Sequence, residues 1–202
     1  DSRPEERNIL TPDQHYSFHS NGFLVIPQLF STEEVDLFNN QLDYIISSRA
    51  SNECLREVVA DWFLSTPEET RGYMRNAPND AFKKPFKIND LYLDDAKIRH
   101  YILDKRITAV VGELLDSIPV VMNTLNLYYG SEQRFHFDTL YMPPPSANKM
   151  IAAWISLDEV NEKNGPLCYY PRSHMIKPYR FSTGKLNERI DEINSFDLYI
   201  NE

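Results

Sequence analysis

The stretch NGFLVIPQLFSTEEV, residues 21–35, joins an apolar run to a helix start and sets the order of elements in the first part of the chain. Its apolar and β-branched part, residues 23–29, predicts a short strand, which Pro27 confines to a sheet edge or a strand end. The letters STEE that follow have the spacing of a capping box. Apolar residues then recur at helical spacing, which predicts a helix over residues 32–48.

Helix signals continue on both sides of this stretch. The letters TPDQ from Thr11 predict the start of a short helix, which Gly22 should end. Residues 52–81 have a weak pattern that predicts short helical pieces at best. Residues 94–117 again have apolar residues at helical spacing, and they predict a helix that is broken near Lys105.

The last part of the chain has the pattern of strands and turns. The predicted strands are residues 120–129, 133–141, 150–157 and 167–170. Helices first and short strands afterwards predict an α+β chain whose β part is a sandwich or a barrel. A length of 202 residues fits one domain, with residues 1–117 mainly helical apart from one early strand.

Composition and charge exclude several classes of protein. The formal net charge of −9 argues against a nucleic acid as the main partner, since such binding depends on clustered Lys and Arg. The sequence has no apolar run long enough to cross a bilayer, so no membrane partner is expected. The first residues lack the apolar region of a signal peptide. Cys54 and Cys168 match no metal or redox spacing and predict free thiols in a reducing, cytoplasmic location.

A histidine and an aspartate lie two positions apart in RFHFDTLY, residues 134–141. In a strand, His136 and Asp138 would point to the same face and present an imidazole and a carboxylate to one metal ion. Two histidines and one carboxylate form the iron-binding triad of non-haem Fe(II) oxygenases. The H-x-D triplet also occurs by chance, and the alternative is a strand end with two hydrogen-bonded polar residues.

Four blocks in a fixed order carry a resemblance to a known family. They are NGFLVIPQLFSTEEV at 21–35, HFD at 136–138, AWISLDEV at 153–160 and NGPLCYYPRSH at 164–174. Together they resemble the phytanoyl-CoA dioxygenase (PhyH) family of Fe(II)- and 2-oxoglutarate-dependent oxygenases, over most of the chain.

The resemblance implies one oxygenase domain over residues 1–202. Its core would be a double-stranded β-helix, a cupin-like jelly roll over residues 118–202, with the N-terminal and mid-chain helices packed on one side. The C-terminal strands of that core would be missing from this chain, so that the domain is incomplete at its C-terminal end.

The resemblance also implies functional residues. His136 and Asp138 would be catalytic residues and iron ligands, and an aspartate at 138 favours a hydroxylase over a halogenase. Lys87, Leu125 and Trp154 would contact the co-substrate. From residue type alone, the alternatives are a solvated surface lysine, a core leucine and a core tryptophan whose indole N–H finds a carbonyl. Residue type favours the core alternative for Leu125 and does not decide between the two interpretations for Lys87 and Trp154.

The remaining histidines do not complete the triad. His174 matches a family histidine that does not bind iron, so we expect it either to have a structural role or to support the residues that bind the ion. The family's distal histidine and its arginine for the far carboxylate of 2-oxoglutarate have no match after His174. The chain is then a fragment of a full enzyme, which we favour, or a degenerate relative without an iron site. His15 and His19 lie on one helix face, where we expect a surface role.

The implied activity follows from these residues. The cofactor would be Fe(II), with 2-oxoglutarate and O2 as co-substrates, and the reaction would hydroxylate a small organic molecule with release of succinate and CO2. The alternatives are a non-catalytic or degenerate jelly-roll binding protein and a cupin-type metalloenzyme that does not use 2-oxoglutarate. The substrate and the oligomeric state do not follow from the sequence.

Overall fold

The structure is a computed structural model that describes residues 9–130, 135–142, 144, 146, 149–177, 179 and 182. Its helices are α1 (Pro12–Asn21), α2 (Thr32–Ser48), α3 (Ala96–Ile102) and α4 (Lys105–Leu115). Its strands are β1 (Val59–Trp62), β2 (Thr70–Tyr73), β3 (Phe86–Asn89) and β4 (Leu125–Tyr128). Short 3-10 turns lie between them, and the mixed helix and sheet content confirms the α+β class.

The four strands form one antiparallel sheet in the order β2-β1-β3-β4. Asp61 of β1 lies opposite Arg71 of β2 and Lys87 of β3, and Lys87 lies opposite Leu127 of β4. Directly opposed residues point to the same side of a sheet. The sheet therefore has two distinct faces, and the register decides which side chains share each face.

One face of the sheet forms the core with the helices. Phe86 and Ile88 of β3 are almost fully buried in a cluster with Leu42 and Ile45 of α2 and Ile98 of α3. The Phe86 ring stacks on Tyr128 and meets Phe82 edge-on, each at 4.7 Å between ring centroids. Burial of aromatic and aliphatic side chains of this size dominates the stability of a small domain.

Two helix starts confirm the capping signals in the sequence. Thr11 caps α1 and Ser31 caps α2, and in both helices a side chain three residues on bonds back to the cap backbone. The observed bounds of α2, Thr32–Ser48, are those predicted. Capping depends on residues close together in sequence, which explains why these helices can be predicted without knowledge of the tertiary structure.

The predicted long helix over 94–117 is two helices. α3 ends at Ile102 and α4 begins at Lys105, where the break was predicted. Asp104 caps α4, since its carboxylate accepts the backbone N–H of Arg106 at 2.8 Å.

The early strand predicted over 23–29 is wrong, because no residue of that range is in a strand. Pro27 lacks a backbone N–H, and Gln28 has a φ of 54° in a turn. A strand needs continuous N–H donors and extended dihedral angles, and this stretch interrupts both.

The predicted order of helices first and strands afterwards is also wrong. β1 and β2 lie within 52–81, where only helical pieces were expected, and β3 follows them before α3. Of the predicted strand 120–129, only β4 is a strand. Residues 150–157 and 167–170 are in no strand, and the described part of 133–141 holds a 3-10 turn, Asp138–Leu140. The double-stranded β-helix accordingly stays a prediction.

No helix in the described ranges is both long enough and apolar enough to cross a membrane.

Candidate functional site

His136 and Asp138 lie close together in the structure. The imidazole Nε2 of His136 is 3.5 Å from the carboxylate Oδ1 of Asp138. Two atoms that each lie about 2.1 Å from one metal ion are at most roughly 4.2 Å apart, so this spacing permits a shared ion. The pair is not on a strand face as expected, because Asp138 opens a 3-10 turn and its backbone carbonyl accepts N–H groups from Tyr141 and Met142.

Aromatic side chains lie near this pair. The ring of Tyr141 meets the His136 imidazole edge-on at 5.1 Å, and Phe135 lies 4.5 Å from Tyr170 between ring centroids. Burial raises the pKa of Tyr169, and the nearby Asp138 carboxylate raises the pKa further. Tyr169 also stacks on Phe23 at 5.3 Å. The segment around 167–170 is therefore positioned beside the candidate ligands.

Lys87 and Leu125 share the sheet face that points away from the helices, which we call the open face. In register, Lys87 lies opposite Leu127, and Leu125 lies opposite Asn89, so the two predicted co-substrate contacts are diagonal neighbours. Leu125 is 43% exposed, which rules out its interpretation as a core leucine. The Lys87 side chain is only 24% exposed and is ion-paired, so it is not a freely solvated lysine.

A buried carboxylate holds Lys87 on this face. Asp61 Oδ2 lies 3.8 Å from Lys87 Nζ and 3.3 Å from Arg71 Nη1, and it accepts a hydrogen bond of 2.7 Å from Asn89 Nδ2. The Asp61 side chain is 7% exposed. A buried carboxylate is stable only when charges and donors compensate for lost solvation, and here two cations and one amide do so.

In the described part of the chain, Trp154 contacts neither the His136–Asp138 pair nor Lys87 and Leu125. Its side chain is 48% exposed, so the alternative of a core tryptophan is wrong as well. The segment that carries it is attached to the core near Leu157, whose carbonyl accepts a hydrogen bond of 2.9 Å from Asn39 of α2.

His174 docks on the end of α1, as its expected structural role requires. Its Nε2 lies 3.0 Å from the carbonyl oxygen of His19, and the N–H of Arg172 donates to the carbonyl of Asn21 at 2.8 Å. Gly22 ends α1 with a φ of 86°, and a Cβ at this position would overlap the His174 imidazole. Only glycine satisfies both demands.

His15 is paired rather than free on the surface. Its Nε2 lies 2.5 Å from Glu113 Oε1, and Glu113 also accepts the backbone N–H of Ile9 at 2.8 Å. The expected surface role is corrected to a structural one that ties α1 to α4. Cys54 and Cys168 are both free thiols, as predicted, and both are exposed.

Sequence reasoning missed Asp61, Arg71 and Asn89 on the open face and Tyr169 beside Asp138. One sequence feature could have indicated the strand that carries Asn89: in FKIN, residues 86–89, apolar and polar residues alternate as in a half-buried strand. For Tyr169 no local signal existed, because its proximity to Asp138 depends on how distant segments fold together.

Comparison with known proteins identifies the class of protein. The family model of phytanoyl-CoA dioxygenase (PhyH) matches residues 18–194. A mouse protein named peroxisomal phytanoyl-CoA dioxygenase is 24% identical, over 95% of this chain and 57% of its own length. An Arabidopsis thaliana phytanoyl-CoA dioxygenase is 26% identical, over 82% of this chain and 65% of its own length. No solved structure matches this chain.

The match defines the chain as one of the dioxygenase-type proteins. It belongs to the phytanoyl-CoA dioxygenase family, because the family model covers most of its length. A bovine phytanoyl-CoA dioxygenase domain-containing protein 1 is 24% identical over 82% of this chain and 66% of its own length. The chain thus spans only part of the curated relatives it matches, 57% of the mouse protein.

Proposed function

We propose that the protein is an Fe(II)- and 2-oxoglutarate-dependent dioxygenase that hydroxylates a small organic substrate and releases succinate and CO2. The observation that carries the proposal is the 3.5 Å approach of His136 Nε2 to Asp138 Oδ1 in a chain of this family. Nitrogen and carboxylate oxygen are the donors that non-haem Fe(II) takes in two-histidine, one-carboxylate sites.

The donor set fits iron in part. In the described residues no third histidine, cysteine or carboxylate joins His136 and Asp138 in one cluster. These two residues would hold the ion, with a further ligand from elsewhere in the protein. We propose a double-stranded β-helix around the site on the basis of the family alone.

When bound, Fe(II) and 2-oxoglutarate would, together with O2, supply the oxidant for hydroxylation: one oxygen atom of O2 would enter succinate as 2-oxoglutarate loses CO2, and the other would enter the substrate. The chain's own residues would bind the metal ion and orient its ligands. His136 and Asp138 would hold the metal, and the Tyr141 ring packs edge-on against the His136 imidazole. Burial, and after it the charge of Asp138, raise the pKa of Tyr169, so this side chain presents a neutral hydroxyl near the candidate ligands.

Co-substrate binding is proposed for Lys87, Leu125 and Trp154. The ammonium of Lys87 would bind a carboxylate of 2-oxoglutarate, and the exposed Leu125 on the same face would contact its carbon chain. The exposed indole of Trp154 leaves its ring available for contact with a ligand. The partner is then a small molecule. A cytoplasmic location stays a prediction, and the mouse relative is named peroxisomal.

The test is anaerobic titration of the whole natural protein with Fe(II), followed by 2-oxoglutarate. We expect a weak visible charge-transfer band and, in air, succinate release that depends on 2-oxoglutarate. His136→Ala should abolish both signals. His100→Ala is the matched control, because His100 lies on α3 against Tyr101 and should leave them unchanged.

The outcomes separate the alternatives. No band in the whole protein, or the same band in His136→Ala, would overturn the proposal in favour of a non-catalytic binding protein. Metal binding that depends on His136 but does not respond to 2-oxoglutarate would identify a cupin-type metalloenzyme instead.

A further inference from the structure

A row of charges crosses the open face, from Arg71 through Asp61 to Lys87. We propose that Arg71 and Lys87 together bind one carboxylate of a short organic dicarboxylate, with Asp61 as their buried counter-charge. This inference deepens the proposed function, because Lys87 is the expected contact for 2-oxoglutarate. It adds Arg71 as a second binding residue and gives Asp61 an electrostatic role.

The first argument is the balance of charge. Asp61 is one carboxylate between two cations, so the row carries a surplus positive charge. Both cations approach the same oxygen of Asp61, and they come from the strands on either side of β1. A second carboxylate placed over the row would neutralise that surplus with charge-assisted hydrogen bonds.

The second argument is the availability of donors. The Arg71 side chain is 61% exposed, and among the described residues its contacts to Asp61 use Nη1 alone, at 3.3 Å to each carboxylate oxygen. The Nε and Nη2 groups therefore remain for a ligand. A guanidinium presents its donors in a planar fork that matches a carboxylate, whereas Lys87 adds a point charge.

The third argument is the apolar surface beside the row. On the same face lie Leu125 and Tyr73, which are 43% and 41% exposed, and Leu127, which is half-buried. A short carbon chain attached to the bound carboxylate would cover part of this surface. The face therefore favours a carboxylate with a short carbon chain over inorganic phosphate or sulfate, which have no carbon chain to bury. The second carboxylate follows from the proposed co-substrate, 2-oxoglutarate.

The test measures glutarate binding to the metal-free whole protein by ligand-observed NMR. Glutarate has both carboxylates of 2-oxoglutarate but no keto group, so it probes the charged row without metal chelation. Arg71→Gln should weaken glutarate binding about tenfold, because a charge-assisted contact is lost. Asp61→Asn should strengthen it about threefold, because a negative charge near the ligand is removed.

The opposite signs exclude a purely structural role for the row. If Asp61 and Arg71 only held the sheet together, both substitutions would lower stability, and neither would strengthen binding. Arg56→Gln is the matched control: Arg56 is also 61% exposed and is paired with one carboxylate, that of Glu53 at 3.6 Å. It should leave the glutarate affinity unchanged.

Three outcomes would overturn the inference: no glutarate binding to the wild type, an Arg71→Gln affinity within twofold of the wild type, or weaker binding by folded Asp61→Asn. Thermal unfolding is measured first for every variant. If Asp61→Asn does not fold, Arg71→Glu replaces it and should abolish binding, whereas retained binding would overturn the inference.

The two proposals fail in different ways. A wild type that shows no iron-dependent response to 2-oxoglutarate, but whose glutarate binding needs Arg71, would sink the dioxygenase proposal and leave the carboxylate site standing. If the protein is an active dioxygenase but Arg71→Gln changes neither its glutarate nor its 2-oxoglutarate affinity, the dioxygenase proposal stands and the carboxylate site is overturned.

Discussion

Two regions of the molecule carry the candidate site, and they differ in how they are held. The sheet region, residues 32–128, contains α2, the four strands and nearly all of the buried residues. The histidine–aspartate segment, residues 135–177, has no buried residue among those described. Lys87 belongs to the first region, and His136 and Asp138 belong to the second.

The difference teaches which physical forces position each part. In the sheet region, strand register and a packed core place Lys87 beside Asp61. The histidine–aspartate segment is attached by separate contacts instead, among them those of Leu157 with α2, Tyr169 with Phe23, and Arg172 with Asn21. A region held by few contacts opens at a lower free energy than one held by a core.

Core truncation should separate the two regions most strongly. Phe86→Ala should lower the free energy of unfolding by about 3–5 kcal/mol, because Phe86 is 1% exposed between two aromatic rings. Trp154→Ala, at 48% exposed, should change it by no more than about 0.5 kcal/mol. Urea unfolding at constant m-value measures both. Equal losses would mean that the histidine–aspartate segment has a core of its own.

A smaller effect is expected at the point where the segment docks on α1. Gly22→Ala should cost more than the roughly 1–2 kcal/mol of placing a side chain at positive φ, because the new methyl also displaces His174. Limited proteolysis should then cut residues 167–177 faster.

Gly130→Ala provides the control for this substitution. Gly130 has a φ of 74° but no neighbouring atom within 4 Å of a new Cβ. Its substitution by alanine should therefore cost only the backbone strain of a side chain at positive φ. If the two alanine variants are equally stable and equally resistant to proteolysis, the His174 contact does not hold the segment.

The smallest expected effect is a loss of stability of the sheet region at low pH. The hydrogen bond from Arg106 lowers the pKa of Asp104 to about 2, below the value near 3.9 of an unfolded aspartate. Its contribution to stability is therefore present above about pH 4 and is lost as the pH falls towards about 2.

Asp104→Asn isolates this charge, because asparagine still caps α4. The variant should lose less stability than the wild type between about pH 4 and pH 2 in urea unfolding followed by circular dichroism. The same slope of stability against pH in both proteins would contradict the assignment.

Local signals in the sequence predicted α1, α2 and the break between α3 and α4, because each depends on a cap and its close neighbours. The resemblance predicted the family, which the family model confirms. The closeness of His136 and Asp138 was predicted for a strand face, whereas the two residues approach each other at a 3-10 turn. The strands β1, β2 and β3 were missed. In the sequence, Asp61 interrupts an apolar run and weakens the prediction of a strand. In the structure, Arg71, Lys87 and Asn89 compensate its buried charge.

By itself, the sequence determined the helix caps, the His-x-Asp spacing and membership of the family, since all of these are properties of neighbouring residues or of ordered motifs. Only the tertiary structure decided that Lys87, Arg71 and Asp61 form one row, and that Tyr169 lies beside Asp138. The reason is that strand register and the docking of distant segments arise from non-local pairing. Such pairing leaves no signature at any one position of the chain.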